Sequence, residues 1–361
     1  MFLKEKPDYS YVHWLNSVGL GTLNMVVLPG KITESLPVRV MKDHAWKEVN
    51  LLLGDAKENA LLFPYYGNES EKKIAEYLGL KMYADPSSVK RFASKINFKE
   101  TCNRLDIPVV DYLVYHTKER TKKLITCVEE QLKKSAKVLL RTEYGATGSG
   151  IYVLDSADEE QLKKIHQNHK GERFLIESFL TVTSSPSSVW FIDPQKKIKH
   201  FRTSDQILEK NIVHKGNQFP IEGNEDEVEN YSFVLAQELA REGYKGPFGL
   251  DFIYTSEGLF ATECNPRMTG SIYPWAIVSI LEKHGLVPAA CSEQIHVKKG
   301  LTFAEIQNRL GKWLYDGKSS VGVVVPFNIG PLSTGKISVL VTGKDSASVE
   351  TLFSEVKASL S

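Results

Sequence analysis

Two acidic residues and an amide stand where a β-hairpin would bring them together. Asp251 lies in the apolar run Gly-Leu-Asp-Phe-Ile-Tyr, and Glu263 and Asn265 lie in Leu-Phe-Ala-Thr-Glu-Cys-Asn. Ser256-Glu-Gly258 between the runs is a turn signal. A three-residue loop with Gly258 left-handed pairs Thr255 with Leu259 and, counted back, Asp251 with Glu263. Asn265, two residues on, shares their face because strand side chains alternate. Three oxygen-bearing groups, two of them anionic, then converge, a set that suits Mg2+ completed by water and phosphate oxygens. Facing solvent is the commoner fate of Asp and Glu. Two carboxylates embedded in apolar runs, however, need a partner or a metal to offset desolvation.

Arg267 follows at once, in Glu263-Cys-Asn-Pro-Arg-Met-Thr-Gly-Ser271. A guanidinium beside a metal site suits a carboxylate or a transferring phosphoryl group, a structural salt bridge being the alternative. Thr269, Gly270 and Ser271 precede an apolar helix and form either an anion-binding helix start or plain capping. A further anion signal is Glu143-Tyr-Gly-Ala-Thr-Gly-Ser-Gly150. Gly145, Gly148 and Gly150, with Thr147 and Ser149 between them, free backbone N–H groups to face an anion. No lysine follows and the next element is a strand, which excludes both a P-loop and a dinucleotide fingerprint. What remains is a hairpin tip that closes over phosphates, or an ordinary glycine-rich hairpin loop.

The supporting elements alternate. Up to about residue 93, the short apolar runs Thr22–Leu28 and Ala60–Phe63 alternate with a helix at Glu69–Leu78, which Gly79 stops. This pattern predicts a parallel α/β unit. One helix over Ser87–Leu105 carries Lys95 and Lys99. Strands follow at Asp111–Tyr115, Lys137–Arg141, Ile151–Leu154 and Arg173–Ile176, with helices at Lys118–Lys134 and 158–167. Thr181–Ser188 reads as a polar loop and Glu227–Glu242 as a helix ahead of the acidic hairpin. The tail from about 291 holds a helix at Phe303–Trp313, two apolar strands and a last helix.

The 361 residues carry 45 Lys plus Arg against 44 Asp plus Glu, and a net charge of +1 argues against attraction to nucleic acid by bulk electrostatics. No apolar run is long enough to span a bilayer, and charges in Met1–Asp8 argue against a signal peptide. Cys102, Cys127, Cys264 and Cys291 form no C-x-x-C pair, which fits a reducing, cytoplasmic setting. The nine histidines show no spacing for a zinc site or a catalytic triad.

Five segments in this order resemble the ATP-grasp superfamily: Lys95; Arg141 before the glycine-rich segment; Glu177 in Phe-Leu-Ile-Glu-Ser-Phe-Leu; Gly246-Pro-Phe-Gly-Leu-Asp-Phe-Ile; and Thr262-Glu-Cys-Asn-Pro-Arg-Met-Thr-Gly-Ser. The resemblance implies an α/β fold with α+β lobes. A pre-ATP-grasp domain (1–93) precedes a small lobe with a flap (94–177), a large lobe with the metal site (178–290) and a C-terminal extension (291–361). It implies phosphate binding by Lys95 and by Arg141, which replaces the family's second lysine, with Gly145 to Gly150 as the flap. Glu177, Ser178 and Leu180 fall in the hinge that reads adenine. The family's ribose-binding acid is missing from Thr181–Ser188, leaving Ser184 or a backbone group as substitutes. Asp251, Glu263 and Asn265 match the metal triad, with Glu263 bridging two Mg2+ ions (or Mn2+). Some relatives carry an arginine where Gly249 stands, and Arg202 is either a compensating cation or a surface strand residue.

The implied reaction is ATP-dependent joining of a small-molecule carboxylate and an amine through an acylphosphate, with Arg267 on the oxyanion. The tail resembles that of ATP-grasp peptide ligases, so amino acids or peptides are the expected substrates, with a homodimer as a candidate assembly. A nucleotide-binding regulatory protein and a kinase-like phosphoryl transfer are the alternatives. Tyr273, Trp275, Trp190 and Phe191 belong either to an acceptor pocket or, more simply, to the core.

Overall fold

The computed structural model describes residues 2–3, 6–21, 25–28, 33–42, 45–145, 150–209 and 213–361. Two short parallel pairings, Phe2–Leu3 with Val26–Val27 and Leu61–Leu62 with Lys81–Met82, carry out the parallel α/β expectation for the first segment. The Glu69–Leu78 helix buries Ile74, Ala75 and Leu78 as its spacing predicts, begins in an Asn68 capping box and ends at left-handed Gly79.

The expected single helix over Ser87–Leu105 is two, Pro86–Ala93 and Lys95–Arg104. Ser94 between them has extended backbone, and its side chain accepts from the Asn97 N–H. A serine in this role is a strong N-cap. The break makes Lys95 the first residue of a new helix. Beyond it, Tyr112–His116, Arg173–Ser178, Val138–Thr142 and Ile151–Leu154 form a four-stranded antiparallel sheet in that order.

A nine-stranded antiparallel sheet fills the rest. Its order runs Gly258–Asn265, Gly246–Thr255, Pro186–Ile192, Ile198–Glu209, Val213–Phe219, Ala289–His296, Lys336–Gly343 and Val324–Phe327, with Val182–Ser184 pairing onto Gly246–Thr255. The expected polar loop at Thr181–Ser188 is therefore mostly strand. Its serines are absorbed by the sheet, Ser187 and Ser188 being buried. A boundary at 291 falls inside the Ala289–His296 strand, so the tail extends the large sheet rather than standing apart from it. The N-terminal helix Tyr9–Ser17 joins the tail's core as well: Trp14 packs on Phe303 and donates Nε1–H to the Tyr315 carbonyl at 3.3 Å.

The acidic hairpin turns through two residues, not three, because Thr255 pairs with Gly258. A β-bulge then leaves Thr262 unopposed, and Asp251 faces Glu263 after all. Thr262 Oγ1 donates to the Asp251 carbonyl at 2.9 Å, closing the bulge.

Candidate active site

Between the two sheets lies a cleft of about 380 Å³. Its apolar end is lined by Val110, Leu139, Ile151, Phe179, Leu180 and Val182, and its polar end by Lys95, Arg141, Asp251, Glu263, Asn265 and Arg267. Asp251, Glu263 and Asn265 converge as their register requires. Asn265 Nδ2 donates to Asp251 Oδ2 at 2.7 Å and to Glu263 Oε1 at 3.2 Å. Ser187, one strand over and in register with Asp251, donates to its Oδ1 at 2.7 Å. Burial and the Glu263 charge push Asp251 up to about 7. Burial acts on Glu263 in the same direction, but Lys95 and Arg141 outweigh it and hold that carboxyl below its usual value.

Two cations face the pair from the smaller sheet's side. Lys95 Nζ lies 3.2 Å from Glu263 Oε2, and Arg141 Nη1 lies 3.8 Å from the same oxygen. Arg141 also donates to the Thr262 carbonyl at 3.4 Å, at the residue left unopposed by the bulge. Behind it, Glu177 takes Arg141 Nε at 2.7 Å and Lys99 Nζ at 2.5 Å. Burial alone would raise Glu177, and the two cations reverse the shift. The Glu177 side chain thus has a structural task besides the hinge position that its backbone occupies. Its buried carboxylate is engaged by Arg141 and Lys99, and Glu177, Ser178 and Leu180 all line the cleft.

Gly145 lines the cleft beside Lys95, and its carbonyl accepts from Lys95 Nζ at 3.3 Å. Thr147, Gly148 and Ser149 lie outside the described residues. Gly150 has φ +72° and closes onto Thr142, where a Cβ would meet Oγ1 at 2.3 Å. Ser184 is not brought to the cleft: its hydroxyl is buried on the sheet's other face near Asp205, while Ser185 and Gln206 reach the lining. Arg202 is not brought there either. It pairs with Glu282 at 2.8 Å, lies over the Phe219 ring and lines a separate groove, so a compensating role for Gly249 has no geometric basis. Trp275 and Trp190 are core residues and Tyr273 is exposed, and neither these nor Phe191 line the cleft.

At the far end, Arg267 donates to Asn265 Oδ1 at 2.9 Å, and Thr269, Gly270 and Ser271 line the wall. Tyr65 joins the lining from the segment before residue 94, and its carbonyl accepts the Met268 N–H at 3.2 Å. His214 and Asn217, hydrogen-bonded to each other at 2.8 Å, complete this end. Burial, with Arg267 nearby, lowers the His214 pKa despite the hydrogen bond to Asn217. The sequence carried no signal for these two, which are three positions apart and share a face only because the strand is bulged at Lys215. Among the described residues no three His, Cys, Asp or Glu side chains cluster as a metal site, so the donor set is two carboxylates and an amide. Asn265 presents Nδ2 to the carboxylates; turned to present Oδ1 instead, it completes an all-oxygen set with two charges that fits a hard divalent cation keeping water and phosphate ligands.

Residues 114–271 match the family model of the ATP-grasp domain. The chain resembles N5-carboxyaminoimidazole ribonucleotide synthetase from Thermus thermophilus at 15% identity and a TM-score of 0.60, over 95% of this chain and 88% of that one. It resembles the Aspergillus clavatus N5-carboxyaminoimidazole synthase, solved with ADP and 5-aminoimidazole ribonucleotide, at 13% and 0.59 over 97% and 95%. Biotin carboxylase from Campylobacter jejuni gives 12% and 0.64 over 91% and 79%. No curated protein sequence matches the chain. The two-lobed α/β fold of these proteins is thereby shown for this chain, and the match to the ATP-grasp domain model falls within it.

Proposed function

We propose that this chain with an ATP-grasp fold is an ATP-dependent carboxylate–amine ligase that joins amino acids or peptides. One observation carries the reading: Lys95 and Arg141 lie across a single cleft from the Asp251–Glu263–Asn265 set, all within reach of Glu263. Opposed cations and hard oxygen donors suit a metal–triphosphate between them. The apolar walls at Val110, Leu139, Ile151 and Leu180 suit a purine, with the Ser178–Leu180 backbone beside its edge.

In this reading Asp251, Glu263 and Asn265 hold Mg2+, which supplies charge neutralisation at the phosphates. Lys95 and Arg141 bind the β- and γ-phosphates of the substrate ATP. An oxygen of the carboxylate substrate attacks the γ-phosphorus as the bond to the ADP oxygen breaks, leaving an acylphosphate and ADP. The amine nitrogen then attacks the acyl carbon. Phosphate departs, the nitrogen loses a proton and an amide remains. Arg267, at the acceptor end with Thr269 and Ser271, faces the oxyanion of that second step. Positioning and charge stabilisation carry the catalysis, without a covalent enzyme intermediate.

The test is ADP and phosphate release from Mg-ATP against a panel of amino acids, dipeptides and bicarbonate, with product mass measured. An amide with one ADP and one phosphate each supports ligation. A phosphorylated product without free phosphate overturns it in favour of phosphoryl transfer, and ATP binding without turnover across the panel favours a regulatory role.

A further inference from the structure

Glu143 lies two residues beyond Arg141, just past the strand that leads to the glycine-rich segment, and only 6% of it is exposed. It has no place in the chemistry above, yet every polar group it owns is engaged. Arg173 donates Nε–H to its Oε2 at 2.8 Å and a second N–H to Oε1, and Ser94 Oγ donates to Oε1 at 2.5 Å. Its backbone N–H donates to the Arg173 carbonyl at 2.9 Å, and its own carbonyl accepts the Lys95 N–H at 3.2 Å.

The partners on the other side are those that start the Lys95 helix. The first N–H groups of a helix have no intrahelical acceptor. Here the Lys95 N–H is met by the Glu143 carbonyl, and the Asn97 N–H by Ser94 Oγ, the hydroxyl that Glu143 orients. Two residues on, the Gly145 carbonyl takes the Lys95 ammonium at 3.3 Å. Residues 143–145 therefore clasp Lys95 by its backbone, by its helix cap and by its side chain. Arg141 sits near the end of the strand that runs into this clasp, so the clasp sets the distance between the two cations of the cleft. The carboxylate itself is saturated by Arg173 and Ser94.

We infer that Glu143 is a positioning residue for phosphate binding, acting through Ser94 and the backbone to hold Lys95 beside Arg141. The inference rests on the proposed ATP site and assigns to Glu143 part of the affinity for the outer phosphates, none of it for the nucleoside. A charged hydrogen-bond network that is buried and complete changes geometry when one member loses its charge.

The test is equilibrium binding of Mg-ATP and of AMP to the wild type, Glu143→Gln, Lys95→Met and the double variant, with a thermal melt of each. Glu143→Gln keeps the shape and an acceptor for Ser94 but turns a donor toward Arg173. Mg-ATP should bind roughly tenfold more weakly to Glu143→Gln, with AMP unchanged. In the Lys95→Met background, where there is no ammonium to place, the same change should cost less than about twofold. Equal losses for ATP and AMP, or a full tenfold loss on top of Lys95→Met, overturns the inference, whatever the melts show. If Glu143→Gln does not fold, Ser94→Ala must show the same split between ATP and AMP. A wild type that binds neither nucleotide overturns the ATP reading itself, an outcome distinct from a wild type that binds ATP with an additive cycle.

Discussion

Arg267 donates to Asn265 Oδ1 at 2.9 Å, and this contact fixes which end of the Asn265 amide faces the two carboxylates. The NH2 end stands between Asp251 and Glu263, where it serves as a neutral stand-in for a cation. Asn265→Asp would replace those donors with a third negative charge. The variant is expected to lose about 1–3 kcal/mol of stability in EDTA, the cost of unpaired buried polar groups, and to regain it in Mg2+. Thermal melts with and without the ion check this. A variant that melts like the wild type in EDTA would count against the convergence of the three groups on one ion.

Among the described residues Glu263 is the one carboxylate ion-paired with both cations, Lys95 at 3.2 Å and Arg141 at 3.8 Å. Glu263→Gln keeps an acceptor for Asn265 but removes the charge shared by metal and cations. Turnover should fall about 10²–10³-fold, the scale of losing one preorganised electrostatic contact. Stability should fall as well, because the depressed Glu263 carboxyl favours the folded state and Lys95 loses its counter-charge. ADP release and a thermal melt report on the two separately, and wild-type turnover would sink the metal assignment.

Much of this site was legible from residue types and spacing. The facing of Asp251 and Glu263 was right although the loop length was wrong, because the bulge at Thr262 makes up for the shorter turn. A trace of the bulge is visible in the chain. The buried residues Leu259 and Ala261 keep a period of two, and the next buried one is Cys264, three on. The break at Ser94 was hidden, because Ala93-Ser94-Lys95 carries neither glycine nor proline and the cap depends on contacts with Glu143, 49 residues away. Arg202 failed for a related reason: charge and order along the chain suggested a site role, but Glu282 and the Phe219 ring hold it elsewhere. His214 and Asn217 come from a strand whose polarity resembles any solvent-facing edge, and the bulge at Lys215, which no local pattern marks, brings them to one face. The joining of Trp14 to the tail's core is a contact over 301 positions that no local pattern encodes.

Glu177 illustrates a pH effect with a definite sign. Burial would raise its carboxyl above the usual 4.5, and Arg141 and Lys99 bring it below that value. The unfolded chain therefore takes up this proton more readily than the folded one. The stabilisation is complete above about pH 4.5 and is lost as pH falls through the folded value. Glu177→Gln leaves the fully buried Lys99 facing Arg141 with no counter-charge, which should cost about 3–5 kcal/mol at pH 7. Urea unfolding from pH 7 down to pH 3 should show the gap between the two proteins narrowing on the acid side. A gap that stays constant across that range would show that the carboxylate is not paired as described.

Gly249 pairs with Asn265 across the ladder, and a Cβ built on it would lie 3.0 Å from Thr269 Cγ2. Thr269 has little room to yield: it is buried and hydrogen-bonded through Oγ1 to Ser271 Oγ at 2.9 Å. Gly249→Ala should therefore displace Thr269 by a few tenths of an ångström, destabilise the protein by about 1–3 kcal/mol and slow turnover, because Thr269 to Ser271 form the cleft wall beside Arg267. Thr269→Ser removes Cγ2 and keeps the hydroxyl, and alone it should be mild. Combined with Gly249→Ala it should restore most of the lost stability, a non-additivity expected of groups in direct contact. Unfolding measurements on the four proteins close the cycle. If Gly249→Ala is equally damaging with serine at 269, the crowding at this wall comes from another neighbour. The small residue at 249 would then owe nothing to Thr269.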